Sequence, residues 1–135
     1  MNTQLTFKQT FLASLLAGAG TAVICLLWRS VHEAVTGFSV PEIVHTTGIT
    51  MSSFLPLIIA GIIFFLVQKL GAKGRTGYII GTVMLGLLSL YGTFTYPMPD
   101  GSATPAAFTV LTLPMHFVSM VGALLIPRLA ARMKA

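Results

Sequence analysis

Charged residues are scarce in this chain of 135 residues, and acidic residues are scarcer than basic ones. Only 8% of the residues are charged, three of them Asp or Glu, whereas soluble domains carry about 25% charged residues. Hydrophobic residues make up 55% of the chain, more than a soluble fold of this size can bury. We therefore predict an all-α polytopic membrane protein that forms a single domain.

Other absences exclude classes of function. Cys25 is the only cysteine, so no intrachain disulfide can form. The chain has no phosphate-binding loop, no G-x-S-x-G motif and no pair of carboxylates within an apolar stretch, so nothing favours an enzyme. The basic residues form no patch with interleaved aromatics, which argues against nucleic acid as a partner. The sequence does not identify a cofactor.

Four long apolar stretches are present instead. They predict membrane spans at about residues 10–28, 51–68, 77–96 and 106–126, each near the roughly 20 residues that cross a bilayer. We expect the first helix to continue beyond the membrane and to stop near Gly37, which suits a C-terminal cap. The basic, glycine-rich segment from Lys69 to Gly77 is predicted to be a short loop.

The charges indicate the topology of a four-helix bundle. With four spans, every basic residue except Arg29 lies on one side of the membrane, and all the acidic residues lie on the other. Lysine and arginine are enriched on the cytoplasmic side of membrane proteins. We therefore predict that both termini are cytoplasmic.

The last span carries His116 near its middle and contains no charged residue. Thr112, His116 and Ser119 share one face at helical spacing. An ionisable residue at membrane depth is by default a functional-site hypothesis. The functional alternatives are ligand binding, a proton relay, and haem or metal ligation. The competing interpretation is a structural histidine. Its hydrogen-bond partner would lie on another helix, or would be Thr112 or Ser119 of the same span.

The segment from Arg29 to His45 holds most of the remaining polar chemistry. Glu42 and His45 have the i, i+3 spacing of carboxylate–histidine metal sites in helical bundles, and His32 is a candidate third ligand. A metal site needs three or four such ligands that converge. The alternatives are a solvated segment with an Arg29–Glu33 pair at i, i+4, and a polar vestibule for an external ligand.

Glycines at helical spacing predict close contacts between helices. Gly77 and Gly81 form a G-x-x-x-G motif in the third span, and Gly18 lies in a small-residue stripe of the first. Such motifs mark helix packing, within the chain or between copies of it. They indicate no chemistry of their own.

Two stretches, ITMSSFLPLIIAGIIFFLVQKL and TVLTLPMHFVSMVGALLIP, are similar to a family of short bacterial membrane proteins of unknown function. The matching features are a serine-and-proline entry into the second span (Ser52, Ser53, Pro56) and the Met115–His116 pair in the last. The resemblance implies four spans and the bacterial cytoplasmic membrane. It implies no activity, and it does not include Glu42 and His45.

The leading hypothesis for function is small-ligand or lipid binding or transport, in an outward-opening cavity that reaches His116. The expected lining comprises Trp28, Arg29, His32, Tyr91, Tyr96, Thr112, His116 and Ser119. The first alternative is a structural or accessory membrane subunit without a pocket. An oligomeric channel and a metal- or haem-binding redox protein are further alternatives. The expected partners are the lipid bilayer and a second copy of the chain.

Overall fold

The structure is a computed structural model that describes residues 4–39, 41 and 44–133. Within these ranges the chain forms helices and connecting turns and contains no strand, which confirms the predicted all-α fold. Three helical segments are long and apolar enough to cross a membrane: Phe7–Thr36, Thr46–Thr95 and Ala106–Arg132. The α-helices are α1 (Phe7–Thr36), α2 (Thr46–Val67), α3 (Gly71–Thr95) and α4 (Ala106–Arg132).

Helix α1 has a capped start and a capped end. The Thr6 hydroxyl accepts a hydrogen bond from the Gln9 N–H at 3.2 Å, and the Gln9 side chain accepts one from the Thr6 N–H at 2.8 Å, which together form a capping box. Gly37 ends the helix with φ +63°, and its N–H donates to the Glu33 carbonyl. This left-handed conformation favours glycine. The predicted extension of the first helix to Gly37 is thus confirmed.

The prediction of a loop from Lys69 to Gly77 is wrong. Helix α2 leads through a single 3₁₀ turn, Gln68–Leu70, directly into α3 at Gly71. Gly71 adopts φ +66°, a backbone conformation that L side chains rarely adopt. A Cβ at Gly74 would overlap the Val67 carbonyl. Glycine therefore lets α2 and α3 follow each other with only one 3₁₀ turn between them. Of the basic residues in this segment, Lys69 lies in that turn and Lys73 and Arg75 lie on α3.

The chain reverses direction at this turn. Phe64 and Tyr78 are fourteen positions apart in sequence, which is about 21 Å along a straight helix. Their ring centroids are only 5.0 Å apart. Helix α3 therefore runs back alongside α2 from the turn.

Small residues bring α1 close to α2 and α4. A Cβ at Gly18 would lie 2.9 Å from the Phe54 ring, and a Cβ at Gly61 would overlap the Ser14 hydroxyl. A Cβ at Gly122 would lie 2.7 Å from Thr21 Oγ1 on α1. Close approach of this kind is the usual basis of helix packing in membranes, where burial of apolar surface drives association weakly. These helices form the densely packed part of the molecule.

Hydrogen bonds between side chains and backbone attach α3 to α4. The Tyr78 hydroxyl donates to the Ala123 carbonyl at 2.8 Å, and the Thr109 hydroxyl donates to the Thr93 carbonyl at 2.8 Å. Each of these carbonyls precedes a proline by four residues, Pro127 and Pro97. Proline has no N–H, so neither carbonyl has its usual partner along the chain. Side chains of the neighbouring helix replace that partner, as membrane helices require.

Both described ends of the chain lie at the same end of the bundle. The Gln68 amide group accepts from the Leu5 N–H at 2.9 Å and donates to the Leu5 carbonyl at 2.8 Å. Leu5 and Ala130 also belong to one buried apolar cluster. A second cluster, which includes Cys25, Val44 and Phe108, fills the opposite end.

Candidate functional site

A large cleft separates α2 from α3. Its volume is about 1000 Å³, and α4 forms its floor. The cleft extends from Lys73 and Gly74 beside the turn to Tyr96 and Phe108 at the opposite end. The two helices diverge because α2 packs on α1 whereas α3 is bonded to α4. We call this feature the α2–α3 cleft.

The rim of the α2–α3 cleft is aliphatic and exposed. Leu55 and Ile59 on α2 and Leu85 on α3 line the cleft, and their exposed fractions are 60%, 49% and 65%. These side chains lie on the middle of apolar helices, at the depth that a bilayer would occupy. The cleft therefore opens sideways between the two helices, along their length.

His116 lies on the floor of the cleft. Its Nδ1 atom is 3.0 Å from the hydroxyl oxygen of Ser89 on α3, and the residue lines the cleft. The expected partners Thr112 and Ser119 lie on the same helix as His116, and the Thr112 hydroxyl instead donates to the Phe108 carbonyl at 2.9 Å. The partner of His116 is thus Ser89 on the neighbouring helix α3, and not Thr112 or Ser119 of its own helix.

Three further residues of the predicted site also line the cleft: Thr112, Ser119 and Tyr96. Thr112 and Ser119 face it from α4, on either side of His116 along the helix. Tyr96 directly follows the last residue of α3, and its ring stacks on that of Phe108 with centroids 5.0 Å apart. The structure therefore brings His116, Thr112, Ser119 and Tyr96 together as lining residues of the α2–α3 cleft.

Trp28 does not line the α2–α3 cleft. Its indole N–H donates to the Leu111 carbonyl at 2.9 Å, three residues before Pro114, where the proline weakens the hydrogen bonding of the helix. Trp28 also lines a separate small cavity of about 150 Å³ with Cys25 and Met115. Its indole thus connects α1 to α4 and does not contribute to the α2–α3 cleft.

The remaining predicted lining residues do not reach the cleft either. Arg29 Nε lies 3.2 Å from Glu33 Oε1, which confirms the predicted i, i+4 pair. His32 is buried, with its ring centroid 6.2 Å from that of Trp28 and 6.0 Å from that of Phe38. The Tyr91 side chain is 70% exposed. Among the described residues, Arg29, His32 and Tyr91 therefore form no polar vestibule at the cleft.

Within the described residues, no three His, Cys, Asp or Glu side chains converge as a metal site would require. Of the three candidate ligands, His32 is buried among aromatic rings and His45 is exposed immediately before α2. Glu42 lies outside the described residues. The described residues therefore show no third ligand that would join His32 or His45 in a metal site.

The three glycines predicted to pack helices have different surroundings. Gly18 contacts Phe54 closely, whereas a Cβ at Gly77 or Gly81 would have no described atom within 4 Å beyond its own helix backbone. Gly77 and Gly81 both line the α2–α3 cleft. The G-x-x-x-G motif thus has no helix packed on it within this part of the chain.

Two residues of the site escaped the sequence analysis. Neither Ser89 nor Tyr78 was predicted as a site residue, yet both form hydrogen bonds between α3 and α4. A usable signal was present for Tyr78. A proline inside a membrane helix leaves a carbonyl without a donor, so Pro127 predicts that some side chain must reach Ala123.

No family model, curated protein or solved structure matches this chain. The similarity to short bacterial membrane proteins therefore stays a prediction.

Proposed function

We propose that the chain crosses the membrane four times, with α1, α2, α3 and α4 as the spans and both ends of the chain in the cytoplasm. The charges support this topology. Lys8, Lys69, Lys73, Arg128 and Arg132 belong to the end of the bundle where Gln68 bonds to Leu5. Arg29, Glu33 and Asp100 belong to the opposite end. Hydrogen bonds from the Ser102 side chain and from the Ser102 N–H hold the pKa of the Asp100 carboxyl below its usual range. The positive-inside rule assigns the basic end to the cytoplasm.

We propose that the protein binds a lipid-like ligand in the α2–α3 cleft, with the bilayer as the route of entry. One observation carries this proposal: a cleft of about 1000 Å³ has an exposed aliphatic rim and a histidine on its floor. A ligand with an apolar chain matches the walls, and its polar group matches His116. Ligand sites commonly combine apolar walls with a few placed polar groups. Binding and transport of such a ligand belong to the same hypothesis.

Native mass spectrometry of the purified protein tests this proposal, with extraction and identification of small molecules from the same sample. We expect one amphipathic molecule per chain at a fixed stoichiometry. A protein of clean apo mass, after gentle extraction from its own membrane, would contradict the proposal.

A second candidate function is an accessory subunit whose cleft receives a helix of another protein or of a second copy. The observation that favours it is the open pair Gly77 and Gly81, since a G-x-x-x-G face normally lies against another helix. The variant Gly81→Leu separates the two functions. If a helix occupies the cleft, we expect Gly81→Leu to lower the mass of the native assembly by a whole chain. If a lipid occupies it, we expect only a small-molecule mass to be lost.

A further inference from the structure

We infer that His116 presents a bare, hydrogen-bond-accepting Nε2 to the α2–α3 cleft, and that the cleft selects neutral lipids whose head group carries a hydroxyl donor. This inference rests on the proposed function and specifies the ligand for the same site. It follows from the hydrogen bonds of Ser89, taken one at a time.

The Ser89 hydroxyl has a single proton, and the position of that proton is determined. Ser89 Oγ lies 2.6 Å from the Gly86 carbonyl oxygen. A carbonyl oxygen can only accept, so the hydroxyl must donate its proton there. Ser89 Oγ also lies 3.0 Å from His116 Nδ1. In this second contact the serine oxygen can only accept, and His116 Nδ1 must therefore carry a proton and donate it.

The proton on Nδ1 determines the character of the other ring nitrogen. In a neutral imidazole only one nitrogen carries a proton, so Nε2 of His116 is an acceptor. No described residue donates to this atom, and it is not among the buried side-chain atoms that lack a partner. It is therefore accessible, and the ring that carries it lines the cleft. An acceptor in apolar surroundings is stabilised by a donor from outside the protein.

The selectivity of the cleft follows from this arrangement. A long-chain molecule with a hydroxyl head can donate to Nε2 and lay its chain along Leu55, Ile59 and Leu85. The methyl ether of the same molecule has no donor, and a carboxylate of equal length would meet the lone pair of Nε2 with its own negative charge. One neutral hydrogen bond in this setting corresponds to roughly a threefold to tenfold preference for the alcohol over the ether.

The tautomer can be measured without any ligand. Nitrogen-15 NMR of histidine-labelled protein in lipid nanodiscs, at mildly alkaline pH, distinguishes protonated from bare ring nitrogens, and His116→Gln identifies the His116 signals. We expect Nδ1 to be protonated and Nε2 bare in the wild type, and a mixture of tautomers in Ser89→Ala. A wild-type His116 with its proton on Nε2 would overturn the inference.

Native mass spectrometry with a long-chain alcohol and its methyl ether tests the selectivity. We expect the wild type to prefer the alcohol by roughly threefold to tenfold and Ser89→Ala to lose most of that preference. The matched control is Ser30→Ala, because the Ser30 hydroxyl likewise donates to a carbonyl of its own helix, at Leu26, but lies outside the cleft. Ser30→Ala should retain the wild-type preference.

The possible outcomes separate the two proposals. Equal binding of alcohol and ether, or preference for the ether, overturns the selectivity and leaves the lipid site standing. If neither compound binds, while the NMR reports the expected tautomer, the proposed function has failed and the ligand assignment fails with it.

Discussion

Two sets of glycines on the helices have opposite surroundings. Gly18, Gly61 and Gly122 lie where α1 meets α2 and α4, and an added Cβ at each would meet another helix at 2.9 Å or less. On α3, Gly77 and Gly81 face the α2–α3 cleft with no described atom within 4 Å of an added Cβ, apart from the backbone of α3 itself. The same residue type permits close packing at the contacts of α1 and leaves open space at these two positions of α3.

The difference shows how two neighbouring helices in one small bundle come to be separated. Helix α2 is drawn to α1 by close contact, whereas α3 is attached to α4 by the hydroxyls of Tyr78 and Thr109. No corresponding side-chain hydrogen bond joins α2 to α3 within the described residues. The cleft is a consequence of these two unlike modes of attachment, and its volume is available to a ligand.

The largest contrast in stability is expected between Gly61→Ala and Gly81→Ala. The methyl group at residue 61 would overlap the Ser14 hydroxyl and lie 3.2 Å from the Thr10 carbonyl, and we expect destabilisation of about 1–3 kcal/mol from overpacking. The methyl group at residue 81 enters open space, so the helix propensity of alanine should stabilise the protein by about 0.5–1 kcal/mol. Thermal unfolding of both variants in one detergent provides the measurement.

Equal effects of the two alanines would break the comparison. If Gly81→Ala destabilised the protein as much as Gly61→Ala, some helix would have to pack on Gly81, as the accessory-subunit function requires.

A somewhat smaller effect is expected from Tyr78→Phe. The Ala123 carbonyl would then be left without a donor, which costs about 1–3 kcal/mol for a buried group. Because Pro127 is the reason that this carbonyl needs a donor, Pro127→Ala should restore one from the backbone. We therefore expect the double variant to be more stable than the sum of the single effects predicts, as judged from a double-mutant cycle of unfolding free energies. Strict additivity would show that Tyr78 does not replace the bond that Pro127 removes.

The prediction for His116→Ala concerns binding more than stability. His116 has one hydrogen bond in the described structure, to Ser89, so its removal should cost about 1 kcal/mol of unfolding free energy. The amount of co-purified amphipathic molecule should fall by a much larger factor. Unfolding and native mass measurements on the same sample distinguish these effects, and a large loss of stability with unchanged ligand content would make His116 a purely structural residue.

The smallest effect is expected from Glu33→Gln. This substitution removes the partly exposed pair with Arg29 outside both the packed interface and the cleft, and such pairs contribute about 0.2–1 kcal/mol. The effect should shrink further as salt is added. A larger or salt-independent change, measured by unfolding at low and high ionic strength, would indicate that the Arg29 end carries more of the fold than the helix interfaces do.

Features within one helix were the predictable ones. Helical spacing predicted the Arg29–Glu33 pair, and the left-handed preference of glycine predicted the end of α1 at Gly37. Apolar length predicted that the chain forms helices long and apolar enough to cross a membrane. Each of these depends on residues a few positions apart, which a helix brings together regardless of the rest of the fold.

Features between helices were less predictable. The partner of His116 is Ser89, 27 positions earlier in the chain, and spacing along α4 contains no information on that pairing. Composition suggested a loop at Lys69 to Gly77, although Gly71 and Gly74 instead permit a direct helix-to-helix turn. The position of the cleft depends on which helices diverge, and this is decided by several contacts together and not by any one motif.

The most direct test of the lipid site fills the cleft and counts what remains bound. Gly81→Trp places an indole in the α2–α3 cleft, and Gly20→Trp is the matched control because Gly20 is equally open but lies on α1, outside the cleft. Native mass spectra of both variants and the wild type would be recorded from the same lipid nanodiscs. We expect wild type and Gly20→Trp to retain one amphipathic molecule per chain and Gly81→Trp to lose it. Equal ligand content in all three proteins would contradict a lipid site in the α2–α3 cleft.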